Sequence, residues 1–133
     1  MSDRMILDYV ARFPSRHLVL TGGEPSLQVD EHFVSLCKMA GWFVQMETNG
    51  TQPLPGNLDW ITCSPKERCI LREAHELKIV YRGQDLSCWD AFRAEHRFLQ
   101  PCSMRNTEEV IRYVLMHPYW NLSVQLHKLL NIP

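Results

Sequence analysis

Five cysteines are scattered along this chain without a C-x-x-C pair, and none precedes Cys37. Cys37, Cys63, Cys69, Cys88 and Cys102 are odd in number and irregular in spacing, which excludes a disulfide framework and a regular zinc site. His17, His32, His75, His96, His117 and His127 also lack metal-ligand spacing, so no metal is assigned from sequence. There is no run of about eighteen apolar residues and no charged-then-apolar leader, which excludes a membrane-spanning helix and points to a soluble, cytoplasmic chain in a reducing compartment. Neither sign of charge dominates. Fourteen Lys and Arg oppose fifteen Asp and Glu for a formal charge of −1, so no nucleic acid or anionic membrane is expected as partner. Internal repeats and low-complexity stretches are absent as well. A small-molecule ligand remains as the expected partner.

What is present suffices for one domain spanning residues 1–133, because 45% of the side chains are hydrophobic. Apolar residues near the helical period over Asp3 to Arg12 predict an amphipathic helix capped by Ser2 or Asp3. A strand follows at His17 to Leu20, then a helix over Val29 to Ala40 ended by Gly41. Further strands are predicted at Trp42 to Met46, Leu58 to Thr62, Glu76 to Tyr81 and His96 to Leu99, with a short one at Leu122 to Val124. Helices are predicted at Gln84 to Ala94 and at Asn106 to His117, the latter started by Asn106 or Thr107. This alternation predicts an α/β fold with a mainly parallel sheet covered by helices.

In such a sheet the loops leaving the carboxyl ends of the strands share one rim, where ligands bind. Thr21-Gly22-Gly23-Glu24-Pro25 leaves the first strand. Its two glycines open main-chain N–H and C=O groups to close approach, and the carboxylate beside them suits an ammonium group. A strand ending in a tight turn is the alternative reading of that loop alone. Glu47-Thr48-Asn49-Gly50 repeats the design at the next strand, and Ser64-Pro65-Lys66 and Gln100-Pro101 add two more polar loops. Together they argue for one composite site. Most of the thiols are expected to be buried or idle, with Cys63 either packing or lining that site.

These motifs, with Glu76-Leu77-Lys78, Phe98-Leu99-Gln100-Pro101 and the ending Leu122-Ser123-Val124-Gln125-Leu126-His127-Lys128, resemble the radical S-adenosylmethionine enzymes. From about Leu18 to Pro133 the likeness is strongest to the 7-carboxy-7-deazaguanine synthases. Gly-Gly-Glu marks only the superfamily, whereas Gln125-Leu126-His127-Lys128 with a terminal proline is particular to the synthases. The resemblance implies a partial (β/α) barrel binding S-adenosylmethionine, a [4Fe–4S] cluster and Mg2+. The reaction implied converts 6-carboxy-5,6,7,8-tetrahydropterin to 7-carboxy-7-deazaguanine with loss of ammonia, towards queuosine, in a homodimer served by a reductant such as flavodoxin. Gly22, Gly23 and Glu24 would hold the methionyl amino group, and Glu47 the ribose hydroxyls. Ser64, Lys66 and Gln100 would complete the cofactor pocket, and Thr21, Asn49, Gln125, His127 and Pro133 would face the substrate.

One departure stands out. The family's cluster is held by an N-terminal C-x-x-x-C-x-x-C or a longer-spaced variant, and no cysteine precedes Thr21 here. The expectation is therefore an N-terminally truncated barrel without catalytic residues or metal ligands of its own, inactive as it stands and exposing a sheet edge at His17 to Leu20 that invites pairing. The other readings are a non-catalytic S-adenosylmethionine or pterin-binding fragment and an activase for a glycyl-radical partner. The latter would share Gly-Gly-Glu but not the Gln125 to Pro133 ending.

Overall fold

A computed structural model describes residues 1–132, so the expectation placed on Pro133 lies outside the described residues. Six strands form one sheet in the order in which they occur along the chain, every adjacent pair parallel: β1 (His17–Leu20), β2 (Phe43–Thr48), β3 (Trp60–Cys63), β4 (Glu73–Tyr81), β5 (Arg93–Pro101) and β6 (Asn121–Leu122). The sheet is open, with β1 and β6 as its edges. Because all strands run the same way, the four polar loops noted in the sequence leave one rim, as expected for this fold class.

Helices α1 (Asp3–Val10), α2 (Glu31–Met39) and α3 (Thr107–Met116) supply the apolar cover, and a short α4 (Leu126–Leu129) lies near the end of the chain. Ser2 caps α1 by accepting from the Met5 N–H at 3.3 Å, and Asp30 caps α2 through the Phe33 N–H at 2.9 Å. Phe33, Val34 and Cys37 of α2 pack against Trp42 and Val44, joined by Leu18, Leu20 and residues of α1. A second cluster gathers Cys63, Leu77, Ile79, Leu99, Val110 and Trp120. On β2 the alternation is plain: Val44, Met46 and Thr48 are buried, whereas Phe43, Gln45 and Glu47 face the other way and stay more open. One face of the sheet is thus core, and the other carries a polar row in which Glu47 lies beside Thr62, Thr62 beside Glu76 and Glu76 beside His96.

Three elements differ from the sequence expectation. Gln84 to Ala94 is not a helix: only Ser87–Trp89 makes a 3-10 turn, and β5 already begins at Arg93. Local side chains occupy the backbone groups a helix would need. The Ser87 N–H donates to Asp85 at 2.9 Å, the Arg82 N–H donates to Gln84 and the Gln84 amide donates to the Val80 carbonyl at 2.9 Å. Leu86 and Phe92, six residues apart, are both buried in the second cluster. The short helix α4 appears where the sequence suggested no element, and the sixth strand covers Asn121–Leu122 rather than Leu122 to Val124.

Candidate functional site

Three loops meet at the rim. Thr21, Gly22, Gly23 and Glu24 after β1, Glu47, Thr48 and Asn49 at the end of β2, and Ser64 and Lys66 after β3 line one cavity of about 300 Å³. Gly22 has φ of +120°, a conformation side chains rarely adopt, so glycine is required there by backbone alone. Gly23 has no such φ, and a Cβ on it would meet no atom within 4 Å. Its missing side chain is demanded neither by the backbone nor by packing, and it leaves bare backbone open to a ligand.

Glu24 is the knot of the site. Its Oε1 accepts from the Thr48 hydroxyl at 2.6 Å, from the Ser26 N–H at 3.3 Å and from the Ser26 hydroxyl, while its Oε2 accepts from the Asn49 N–H at 2.8 Å. The first loop is thereby tied to the second through charge-assisted bonds. Thr48, almost fully buried, passes the tie on: its hydroxyl oxygen accepts from the Gly50 N–H at 3.0 Å, and its carbonyl accepts from the Ser64 N–H at 2.8 Å, which brings in the third loop. The Glu47 side chain, by contrast, has no hydrogen-bond or ion-pair partner among the described residues, although it lines the cavity; the Lys66 side chain is likewise unpaired. A free carboxylate, a free ammonium and open backbone around one cavity suit a ligand that carries both charges and hydroxyl donors.

Partial burial pushes the Glu24 carboxyl up, but the hydrogen bonds from Ser26, Thr48 and Asn49 outweigh it and hold the group below its ordinary value of 4.5. The stabilisation from this tie is complete above that ordinary value and is lost as pH falls through the lower folded-state value. Asp59, which accepts from the Val44 N–H at 2.8 Å and pairs with Lys38 at 2.9 Å, is held low in the same way despite its burial and adds to the trend. Thermal melts are therefore expected to be flat from neutrality down to about pH 4.5 and to fall below it, with a shallower fall in Glu24→Gln. An equal fall in wild type and Glu24→Gln would count against the tie.

The other expected site residues distribute differently. Thr21 and Asn49, assigned to substrate, share the cavity of Gly22, Gly23, Glu24, Glu47, Ser64 and Lys66. Gln100 does not line that cavity: it lies with Gln125 and Lys128 in a separate cavity of about 60 Å³ at the end of β5. His127, in α4, lines neither. Cys63 is fully buried in the core and packs rather than lining the cavity.

No sequence pattern marks the polar chain that crosses the open face of the sheet. His17 Nε2 lies 2.9 Å from Gln45 Oε1, the Gln45 amide donates to the Thr62 hydroxyl at 3.2 Å, and that hydroxyl donates to Glu76 Oε2 at 3.0 Å. Below it Trp60 stacks on His75 with ring centroids 4.7 Å apart, and the His75 Nδ1 accepts the Ile61 N–H at 2.9 Å. These partners come from four strands, and only their register brings them together.

No family model matches the chain. A 7-carboxy-7-deazaguanine synthase from Bacteroides thetaiotaomicron is 46% identical over 134 residues, covering 99% of the chain and 74% of that relative. The chain belongs to the 7-carboxy-7-deazaguanine synthase family. A synthase of the same name from Bradyrhizobium diazoefficiens is 43% identical over 141 residues, covering 99% of the chain and 67% of the relative. The crystal structure of QueE from Escherichia coli superposes with a TM-score of 0.75 at 28% identity, over 94% of this chain and 64% of that one. This synthase-family chain thus spans roughly two thirds to three quarters of the length of these relatives.

Membership makes the chain a radical S-adenosylmethionine lyase by class, and the site can be compared with what that class binds. The rim cavity fits S-adenosylmethionine in its donor set: bare backbone and carboxylate for an ammonium, a lysine for a carboxylate and a free glutamate for ribose hydroxyls. A [4Fe–4S] cluster does not fit the described residues. Cys37 and Cys63 are buried, Cys69 is half-buried beside Cys63, and Cys88 and Cys102 are exposed. No group of three or more His, Cys, Asp or Glu among the described residues is placed to hold a metal ion, which applies to Mg2+ as well. No helix among the described residues is long and apolar enough to cross a membrane.

Proposed function

We propose that the chain carries the S-adenosylmethionine cradle of a 7-carboxy-7-deazaguanine synthase, the protein part that orients the cofactor for conversion of 6-carboxy-5,6,7,8-tetrahydropterin to 7-carboxy-7-deazaguanine with loss of ammonia. The observation that carries this reading is the convergence of eight sequence-expected residues from three strands on one 300 Å³ cavity. When bound with its cluster, S-adenosylmethionine supplies the radical that begins the chemistry. The chain's own part is to bind and to orient. Carbonyls of the Gly22-Gly23 segment accept from the methionyl ammonium, the Lys66 ammonium faces the methionyl carboxylate, and the Glu47 carboxylate accepts from the ribose hydroxyls. Glu24 does two things in this reading. Its Oε1 takes three donors and its Oε2 one, so the carboxylate ties the loops together while Oε2 keeps a lone pair and negative charge for the ammonium.

The cavity of Gln100, Gln125 and Lys128, at the end of β5, is the place we assign to one side of the pterin, with Gln100 moved from the cofactor to the substrate. These residues alone bind the cofactor without cleaving it, because no three of the described thiols come together to hold the cluster. For the family's reaction we place the work in a cytoplasmic homodimer with Mg2+ and a flavodoxin-like reductant. The test of the cradle is Glu47→Gln. With the fold unchanged, it is expected to weaken S-adenosylmethionine binding about tenfold through loss of a charge-assisted pair, read by equilibrium dialysis. Unchanged affinity would remove Glu47 from the site.

A further inference from the structure

Two thiols lie directly beneath the third loop of the cradle. Cys63, the last residue of β3, places its Sγ 3.8 Å from the Sγ of Cys69, and only Ser64 to Arg68 separates the two in sequence, so the pair brackets the segment that contributes Ser64 and Lys66 to the cavity. Gly50 leaves room for the pair: a Cβ there would lie 2.6 Å from the Cys69 sulfur and 3.0 Å from the Cys63 sulfur. The Gly50 carbonyl also accepts the Ile70 N–H at 2.8 Å, fixing the backbone beside Cys69. The two thiols differ in access. Cys63 is fully buried, whereas Cys69 opens into a cavity of about 340 Å³ that Arg72 and Cys88 also line.

We propose that Cys63 and Cys69 form a redox-sensitive dithiol that hydroperoxides convert to an intramolecular disulfide, locking the base of the Ser64 to Lys66 loop. The solvent-reachable Cys69 reacts first. Its thiolate sulfur attacks one peroxide oxygen, the S–O bond forms as the O–O bond breaks, and the departing hydroxide takes a proton to leave as water. The Cys63 sulfur then attacks the Cys69 sulfur, loses its own proton, and expels the sulfenic oxygen as a second water. Two thiols and one hydroperoxide thus give one disulfide and two hydroxyl products. The order of events is set by burial, which pushes the Cys63 thiol up, with Cys69 and Glu24 adding to the same direction, so that Cys63 waits as a neutral thiol. Closing the bond brings the sulfurs from 3.8 Å to about 2.05 Å, a displacement that the five-residue loop between them must absorb. That the lock changes the cradle rests on the cofactor reading above; that the disulfide forms does not.

The experiment uses the folded 133-residue chain, treated with hydrogen peroxide, alkylated in denaturant and digested with trypsin. The expected product is the peptide Met39–Lys66 joined to Cys69–Arg72 with loss of two hydrogens, reversed by dithiothreitol, retained in Cys88→Ser and absent in Cys69→Ser. Recovery of both thiols alkylated, or a Cys69–Cys88 link in their place, would overturn the proposal. In the same samples the oxidised protein is expected to bind S-adenosylmethionine about tenfold more weakly, recovering on reduction. A disulfide that leaves affinity unchanged would overturn the lock, whereas absence of binding by the reduced chain would instead strike the cofactor reading.

Discussion

Glu24→Ala is expected to lower stability by about 2–3 kcal/mol and to abolish ordered binding at the rim cavity. The carboxylate accepts four hydrogen bonds from three residues, and removing it strands the Thr48 hydroxyl and the Asn49 N–H in partly buried surroundings. An orphaned donor costs about 1–3 kcal/mol, and bonds to a charged acceptor lie at the upper end of that range. Water can reach part of the site, which keeps the expected loss below the sum of the separate bonds. For a domain of this length the melting temperature should drop by roughly 6–10 °C. Glu24→Gln separates charge from shape. It keeps one acceptor oxygen but presents an amide where the Asn49 N–H donates, so it should lie between wild type and alanine. Calorimetric melts of the three proteins at pH 7 check this, and a loss under 2 °C for Glu24→Ala would show that the loops hold without the tie.

Gly50→Ala is expected to be as damaging for a different reason. The residue sits at φ +74°, where a Cβ costs of order 1–3 kcal/mol. The added methyl would also press within 2.6 Å of the Cys69 sulfur, a contact that cannot persist without moving one of the segments. Relief comes only from displacing Cys69, because Cys63 is fixed in the core. The combined cost is about 2–4 kcal/mol in chemical denaturation, with the midpoint shifted and the slope unchanged. Shortening the obstructing side chain gives an internal check: Cys69→Ala in the Gly50→Ala background should recover part of the loss, since the nearest clash then disappears. No recovery would mean that φ strain and the 3.0 Å approach to the Cys63 sulfur account for the effect.

Much of the fold could be read from the sequence because its signals are local. Strands β1, β2 and β3 show as short apolar runs ending in glycine or proline loops, and α2 shows as a periodic face closed by Gly41. The failure at Gln84 to Ala94 is instructive, since the stretch has enough apolar residues for a helix. Asp85 and Gln84 bond to nearby backbone and Leu86 and Phe92 serve a core built by distant strands, neither of which periodicity records. The shared cavity was legible for the same reason the strands were: parallel strands put all their exits on one rim, so loop chemistry predicted proximity among Thr21, Glu24, Glu47, Asn49, Ser64 and Lys66. Gln100 lines a different cavity because β5 is separated from β3 by β4, although its loop leaves the same rim. The engagement of Glu24, the His17 to Glu76 chain and the Cys63 and Cys69 pair depend on register and side-chain direction, and residue types alone do not encode them.

The central claim is that three loops of this chain form an S-adenosylmethionine cradle, and amide NMR of the reduced protein titrated with S-adenosylmethionine tests it most directly. The account predicts saturable shifts concentrated on Thr21 to Glu24, Glu47 to Asn49 and Ser64 to Lys66, markedly weakened in Glu47→Gln. Shifts centred on Gln100, Gln125 and Lys128 with the rim loops unmoved, or no saturable shift at millimolar cofactor, would contradict it.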